Sequence, residues 1–100
     1  MKIIQNAGTL RHLENIFSQS GYSIRYEKGN FRSGYCLLKN EHVVVINKYY
    51  PLEGKIGSLI EILQTVDWPF QPQEEAEKKL YQKIKAASLQ LTAPFEPSAQ

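Results

Sequence analysis

His42-Val43-Val44-Val45-Ile46-Asn47, then Lys48-Tyr49-Tyr50-Pro51, then the run over residues 52–66, is the stretch whose reading decides the fold. Its apolar core, Val43-Val44-Val45-Ile46, predicts a strand covered on both faces, with helices supplying the cover. Pro51 opens an amphipathic helix, because its missing N–H is not needed in a first turn. Ile56, Leu59, Ile60, Leu63 and Val66 recur at helical spacing and form the buried stripe. Gly54, Gly57, Ser58, Glu61 and Thr65 form another face, small and polar apart from one acid.

Working back from this unit, residues 9–20 predict a first helix, with Leu10, Leu13, Ile16 and Phe17 on one face. Thr9 is placed to cap it, and Gly21 to end it in a left-handed conformation. Residues 22–28 alternate, Tyr22, Ile24 and Tyr26 against Ser23, Arg25 and Glu27, which predicts a half-buried strand. Gly29-Asn30 suits a type II′ turn and so predicts a hairpin with residues 31–39. In that register Glu27 faces Arg32, Ile24 faces Tyr35 and Tyr22 faces Leu37. Asn40-Glu41 is the expected second turn, which sets Cys36 against Val45, Leu38 against Val43 and Tyr35 against Ile46.

Working forward, prolines 69 and 72 end the central helix, because residues before proline are pushed out of helical geometry. Residues 73–91 predict a last helix. Glutamates 74, 75 and 77 lead and lysines 78, 79, 83 and 85 follow, in the sense of the helix dipole. Ala76, Leu80, Ile84, Ala87 and Leu91 give it a narrow apolar stripe. Residues 92–100, with Pro94 and Pro97, are expected to be a flexible tail. The expected fold class is α+β in the order α-β-β-β-α-α. It is a three-stranded antiparallel meander with helices packed on it, in a single domain over residues 1–91.

A chain of 100 residues, 42% of them hydrophobic, suits one packed domain. A formal net charge of +2 argues against a nucleic-acid partner. No stretch approaches the ~20 apolar residues of a membrane span. Lys2-Ile3-Ile4 runs at once into Gln5-Asn6, too short for a signal-peptide core. A cytoplasmic location is therefore expected, consistent with a single cysteine, Cys36. No cofactor and no metal set is expected.

The layout of Gly34 in the middle strand, Ile46-Asn47 closing the third and Glu61 in the following helix resembles the core of the ImmA/IrrE family of zinc peptidase-like domains, over residues 9–66. The resemblance implies a helix carrying His-Glu-x-x-His, with two zinc ligands and a catalytic glutamate. Only Glu61 corresponds, as the general base; Ile60 and Gln64 stand where the histidines would be. Catalytic zinc sites usually take three protein ligands. Without metal, Glu61 has no activated water to deprotonate. Catalysis is therefore not expected, and a relic or atypical hydrolase centred on Glu61 is the alternative.

Glu61 also reads as a solvated residue on a polar helix face. Cys36, inside an apolar strand, reads as core packing before it reads as a nucleophile. His12 and His42 become its partners only if the fold brings them close. Arg25, Lys28, Arg32 and Lys39 with Tyr26, Phe31 and Tyr35 mix charge and aromatic rings on the expected hairpin, the pattern of single-strand nucleic-acid binding. The same alternation is ordinary strand behaviour. Tyr49, Tyr50, Trp68 and Phe70 fall on expected loops, where aromatics anchor interfaces, and they serve equally as core caps. The expectation is a small non-catalytic protein acting through protein contacts at sheet edges or loop aromatics, with self-association into a homodimer as one form.

Overall fold

The computed structural model describes residues 3–66 and 70–92, with side chains to residue 87. The elements run α1 (Ala7–Gln19), β1 (Tyr22–Glu27), β2 (Gly34–Leu38), β3 (Glu41–Asn47), α2 (Leu52–Thr65) and α3 (Glu75–Thr92). The α+β class and the element order are as expected. The tail expected from residue 93 onward lies outside the described residues.

The sheet is not an antiparallel meander. Its order is β1-β3-β2, with β3 in the middle. β1 runs parallel to β3, in the register Tyr22↔His42 through Glu27↔Asn47. β2 runs antiparallel to β3, with Gly34↔Val45, Tyr35↔Val44, Cys36↔Val43, Leu37↔His42 and Leu38↔Glu41. The expected hairpin at Gly29-Asn30 does not form, so Glu27, Ile24 and Tyr22 face β3 and not Arg32, Tyr35 and Leu37. The reason is burial. β3 carries the continuous run Val43-Val44-Val45-Ile46, and the central position removes most of that run's surface from water. Residues 28–33 form the connection that allows this. They cross the end of β3 and span the ~10 Å between non-adjacent strands, which a two-residue turn cannot do.

Asn47 holds the crossing in place. Its side chain donates from Nδ2 to the carbonyls of Gly29 at 3.0 Å and Phe31 at 2.8 Å, and Oδ1 accepts from the Tyr49 N–H at 3.0 Å. Its own N–H donates to Ser33 Oγ at 3.1 Å. The next amide, Lys48, donates to the Glu27 carbonyl at 2.8 Å and extends the β1 ladder by one bond. One buried asparagine thus ties the ends of all three strands.

The β2–β3 turn sits at Lys39-Asn40, one residue earlier than expected, and this moves every pairing partner on β3 by two residues. Both turn residues have positive φ, 48° and 67°, as a type I′ turn requires. Asn-Gly is the sequence that turn prefers. The double variant Lys39→Asn/Asn40→Gly is therefore expected to gain about 1 kcal/mol in urea denaturation, with an unchanged slope.

The described helices share one face of the sheet. Leu13, Ile16 and Phe17 of α1 and Ile56, Leu59, Ile62 and Leu63 of α2 meet Tyr22, Val44 and Ile46 in a single core, to which α3 adds Ile84. Cover on both faces of β3 was expected. Among the described residues, the second face carries Ser23, Arg25, Cys36, Leu38, Val43 and Val45, and Val43 is buried outside that core cluster.

α1 starts two residues earlier than expected. Its cap is Asn6, whose Oδ1 accepts from the Thr9 N–H at 2.8 Å. Thr9 supplies the donor and is not the cap, because asparagine one turn earlier reaches the same orphan N–H. Gly21, at φ 89°, ends the helix as read, with its N–H on the Ser18 carbonyl.

α3 docks on α1 through polar groups as well as apolar ones. Glu77 is only 3% exposed and accepts from His12 Nδ1 at 2.6 Å, Asn15 Nδ2 at 3.1 Å and Gln19 Nε2 at 3.4 Å. Gln19 Oε1 also accepts from the N–H groups of Gln73 and Glu74, which lie just before α3. One helix therefore caps the start of another.

Candidate functional site

The end of the connection and the start of β2 form one wall of a cleft of about 320 Å³, and α2 forms the other. Arg32, Ser33, Gly34 and Tyr35 line the first wall; Ser58, Glu61, Ile62 and Thr65 line the second, and Tyr50 contributes from the loop between β3 and α2. The local chemistry explains the opening. The small polar face of α2 that carries Ser58, Glu61 and Thr65 turns away from the apolar core. Thr65 Oγ1 donates back to the Glu61 carbonyl at 2.9 Å.

Glu61 is exposed and stands in this cleft without a histidine. His12 is on α1, bound to Glu77. His42 is on β3, where its Nδ1 shares a 2.5 Å hydrogen bond with the Tyr35 hydroxyl. Among the described residues, no three His, Cys, Asp or Glu side chains gather in a way that could hold a metal ion. Cys36 is a free thiol on the second face of the sheet, paired with Val43.

The basic and aromatic residues read as one hairpin are separated. Arg25 and Tyr26 lie on β1, Tyr35 lies on β2, and β3 runs between them. Tyr26 points to α1, where its hydroxyl donates to Glu14, and Lys55 lies 5.6 Å from its ring centre. Burial, then the bond to Glu14, push its hydroxyl pKa well above the usual tyrosine value.

The loop aromatics have unlike settings. Tyr49 is 69% exposed, and Tyr50 lines the cleft. Phe70 is buried and stacks on Tyr22 with ring centres 4.7 Å apart, at right angles to Phe17. Trp68 lies outside the described residues. The Tyr22 hydroxyl is buried and has no hydrogen-bond partner among the described residues, and burial, with the nearby Tyr35 and Tyr81, pushes its pKa up.

The two edge strands differ in a way that sequence reading overlooked. β1, Tyr-Ser-Ile-Arg-Tyr-Glu, carries Arg25 and Glu27 within the strand. Charges of that kind guard an edge against strand addition. β2, Gly-Tyr-Cys-Leu-Leu, carries no charge at all. Its Leu37 and Leu38 are 55% and 47% exposed, and they point to opposite faces. The signal was present in the sequence, but it acquires meaning only once β2 is known to lie at an edge. No protein-family model matches this chain, and no curated protein or solved structure shows significant similarity to it.

Proposed function

We propose that this protein works through protein contacts, by accepting a strand from another chain along the free edge of β2. The observation that carries this reading is the unguarded edge: an uncharged strand with two exposed leucines, beside a cleft walled by a helix. Strand addition draws its affinity from main-chain bonds and its selectivity from pockets for alternate side chains. The hairpin geometry says which bonds are on offer. Residues beside a two-residue turn exchange both of their bonds, and the pattern then alternates. Leu38, Cys36 and Gly34 are thereby committed to β3, while Tyr35 and Leu37 turn N–H and C=O outward. The side chains of those same two residues face the helix side, where Tyr35 lines the cleft. The peptidase-like resemblance adds nothing here, since no histidine lines the cleft beside Glu61.

The test is site-specific photo-crosslinking in the cells that make the protein. A photoreactive residue at Leu38 is expected to give a discrete protein adduct, and one at Arg25 on the guarded edge is expected to give none. Equal labelling at both positions, or none at Leu38, would sink the reading.

A further inference from the structure

We infer that the chain accepted at the β2 edge is a second copy of this protein, paired antiparallel about a two-fold axis through Cys36. This rests on the strand-addition reading and names its partner. A two-fold pairing sets each residue opposite another of the same strand. With the axis at Cys36, Tyr35 faces Leu37 of the other copy, Leu37 faces Tyr35, and the whole five-residue strand is paired. The two residues with outward main-chain groups thus satisfy each other, with none left over. An axis at Tyr35 or Leu37 keeps the outward groups opposed but leaves part of the strand unpaired.

The side chains fit the same register. On the face away from the described helices, Leu38 of each copy lies over Gly34 of the other. A Cβ built at Gly34 meets nothing within 4 Å, so there is space for the leucine. On the helix side, Leu37 lies against the Tyr35 ring, an aromatic–aliphatic pair of the kind that stabilises sheets. Both exposed leucines are covered. Continued past the strand ends, Arg32 opposes Asn40 and Lys39 opposes Ser33, so no like charges meet. Cys36 faces Cys36 in a non-hydrogen-bonded pair, where Cα atoms approach to about 4.5 Å, within disulfide range. The strand is short, so the dimer is expected to be weak, with a Kd on the order of micromolar.

The thiol pair makes the register measurable on the full chain. Sedimentation velocity under reducing conditions is expected to show a monomer–dimer equilibrium across micromolar concentrations. Copper-catalysed air oxidation is then expected to convert most of the dimer to a Cys36–Cys36 disulfide. In that step two thiols pass two electrons and two protons to oxygen, and dithiothreitol reverses it. Cys36→Ser/Ser23→Cys, which moves the thiol to the β1 edge, is the collisional control and is expected to crosslink at least tenfold more slowly. Gly34→Val fills the space beneath the opposing Leu38 and is expected to weaken association at least tenfold while leaving the monomer folded by circular dichroism. A dimer whose Cys36 crosslinks no faster than the control overturns the register. A monomer at every concentration overturns the second-copy inference, and a Leu38 adduct to a foreign chain would then leave strand addition standing without it.

Discussion

Asn47→Leu is expected to lower the unfolding free energy by about 3 kcal/mol, the cost of leaving several buried polar groups unpaired. The replacement is close in size, so packing changes little. What is lost is the set of bonds to Gly29, Phe31 and Tyr49 that holds the crossing connection over β3. In a domain of this size the melting temperature should fall by roughly 15 °C. Asn47→Asp separates hydrogen bonding from shape. It keeps the acceptor for Tyr49 but turns a carboxylate oxygen toward two carbonyls. At neutral pH it should lose about as much as the leucine variant. Below about pH 4 the protonated acid donates again, and part of the loss should return. Urea denaturation of the three proteins at both pH values checks this, and a leucine variant as stable as the parent would refute the pinning role.

Glu77→Ala is the second large effect, about 2–3 kcal/mol, because it strands donors that converge on a buried carboxylate. His12 is partly exposed and turns to water, so the loss falls mainly on Asn15 and Gln19. The same site gives the fold an acid limit. Burial by itself raises the Glu77 pKa, but the bonds from His12, Asn15 and Gln19 outweigh it, and the net pKa lies below the ordinary 4.5. A carboxyl more acidic in the folded than in the unfolded chain binds fewer protons when folded. Its stabilisation is complete above the unfolded value and disappears as pH falls through the folded one. Glu77→Gln lacks this proton linkage. Its stability should start lower at pH 7 and fall less than the parent's between pH 5 and pH 3. Parallel curves for the two proteins over that interval would remove Glu77 as the cause.

Both residues show where sequence reading succeeds and where it stops. Helices and strands were legible because their signals are local: the stripe of Leu13, Ile16 and Phe17, the alternation of residues 22–27, and the glycine ending α1. The order of strands depends on contacts between distant residues, and the hairpin reading set Arg32, Tyr35 and Leu37 beside the wrong neighbours. One inconsistency was visible all the same. A meander puts Val43-Val44-Val45-Ile46 at an edge, where so apolar a strand does not belong. Asn47 read as the end of a strand, because its partners lie in a connection whose path no periodicity reveals. Glu77 read as one of three acids serving a helix dipole, although its carboxylate is the buried centre of the α1–α3 contact. The cleft around Glu61 was missed for the same reason: Arg32, Tyr50 and Thr65 come together only after β2 has taken its place beside α2.

The interleaved strand order also bears on how the chain acquires its shape during synthesis. β1 and β2 are made first and have no bonds to offer each other; each pairs only with the strand that comes later. A nascent chain that stops short of Glu41 therefore has a helix and two unmatched segments, and sheet assembly waits for the middle strand to clear the ribosome. Until then the uncharged edge and its leucines are open on both sides, so truncated products of this protein should be markedly less soluble than the finished one.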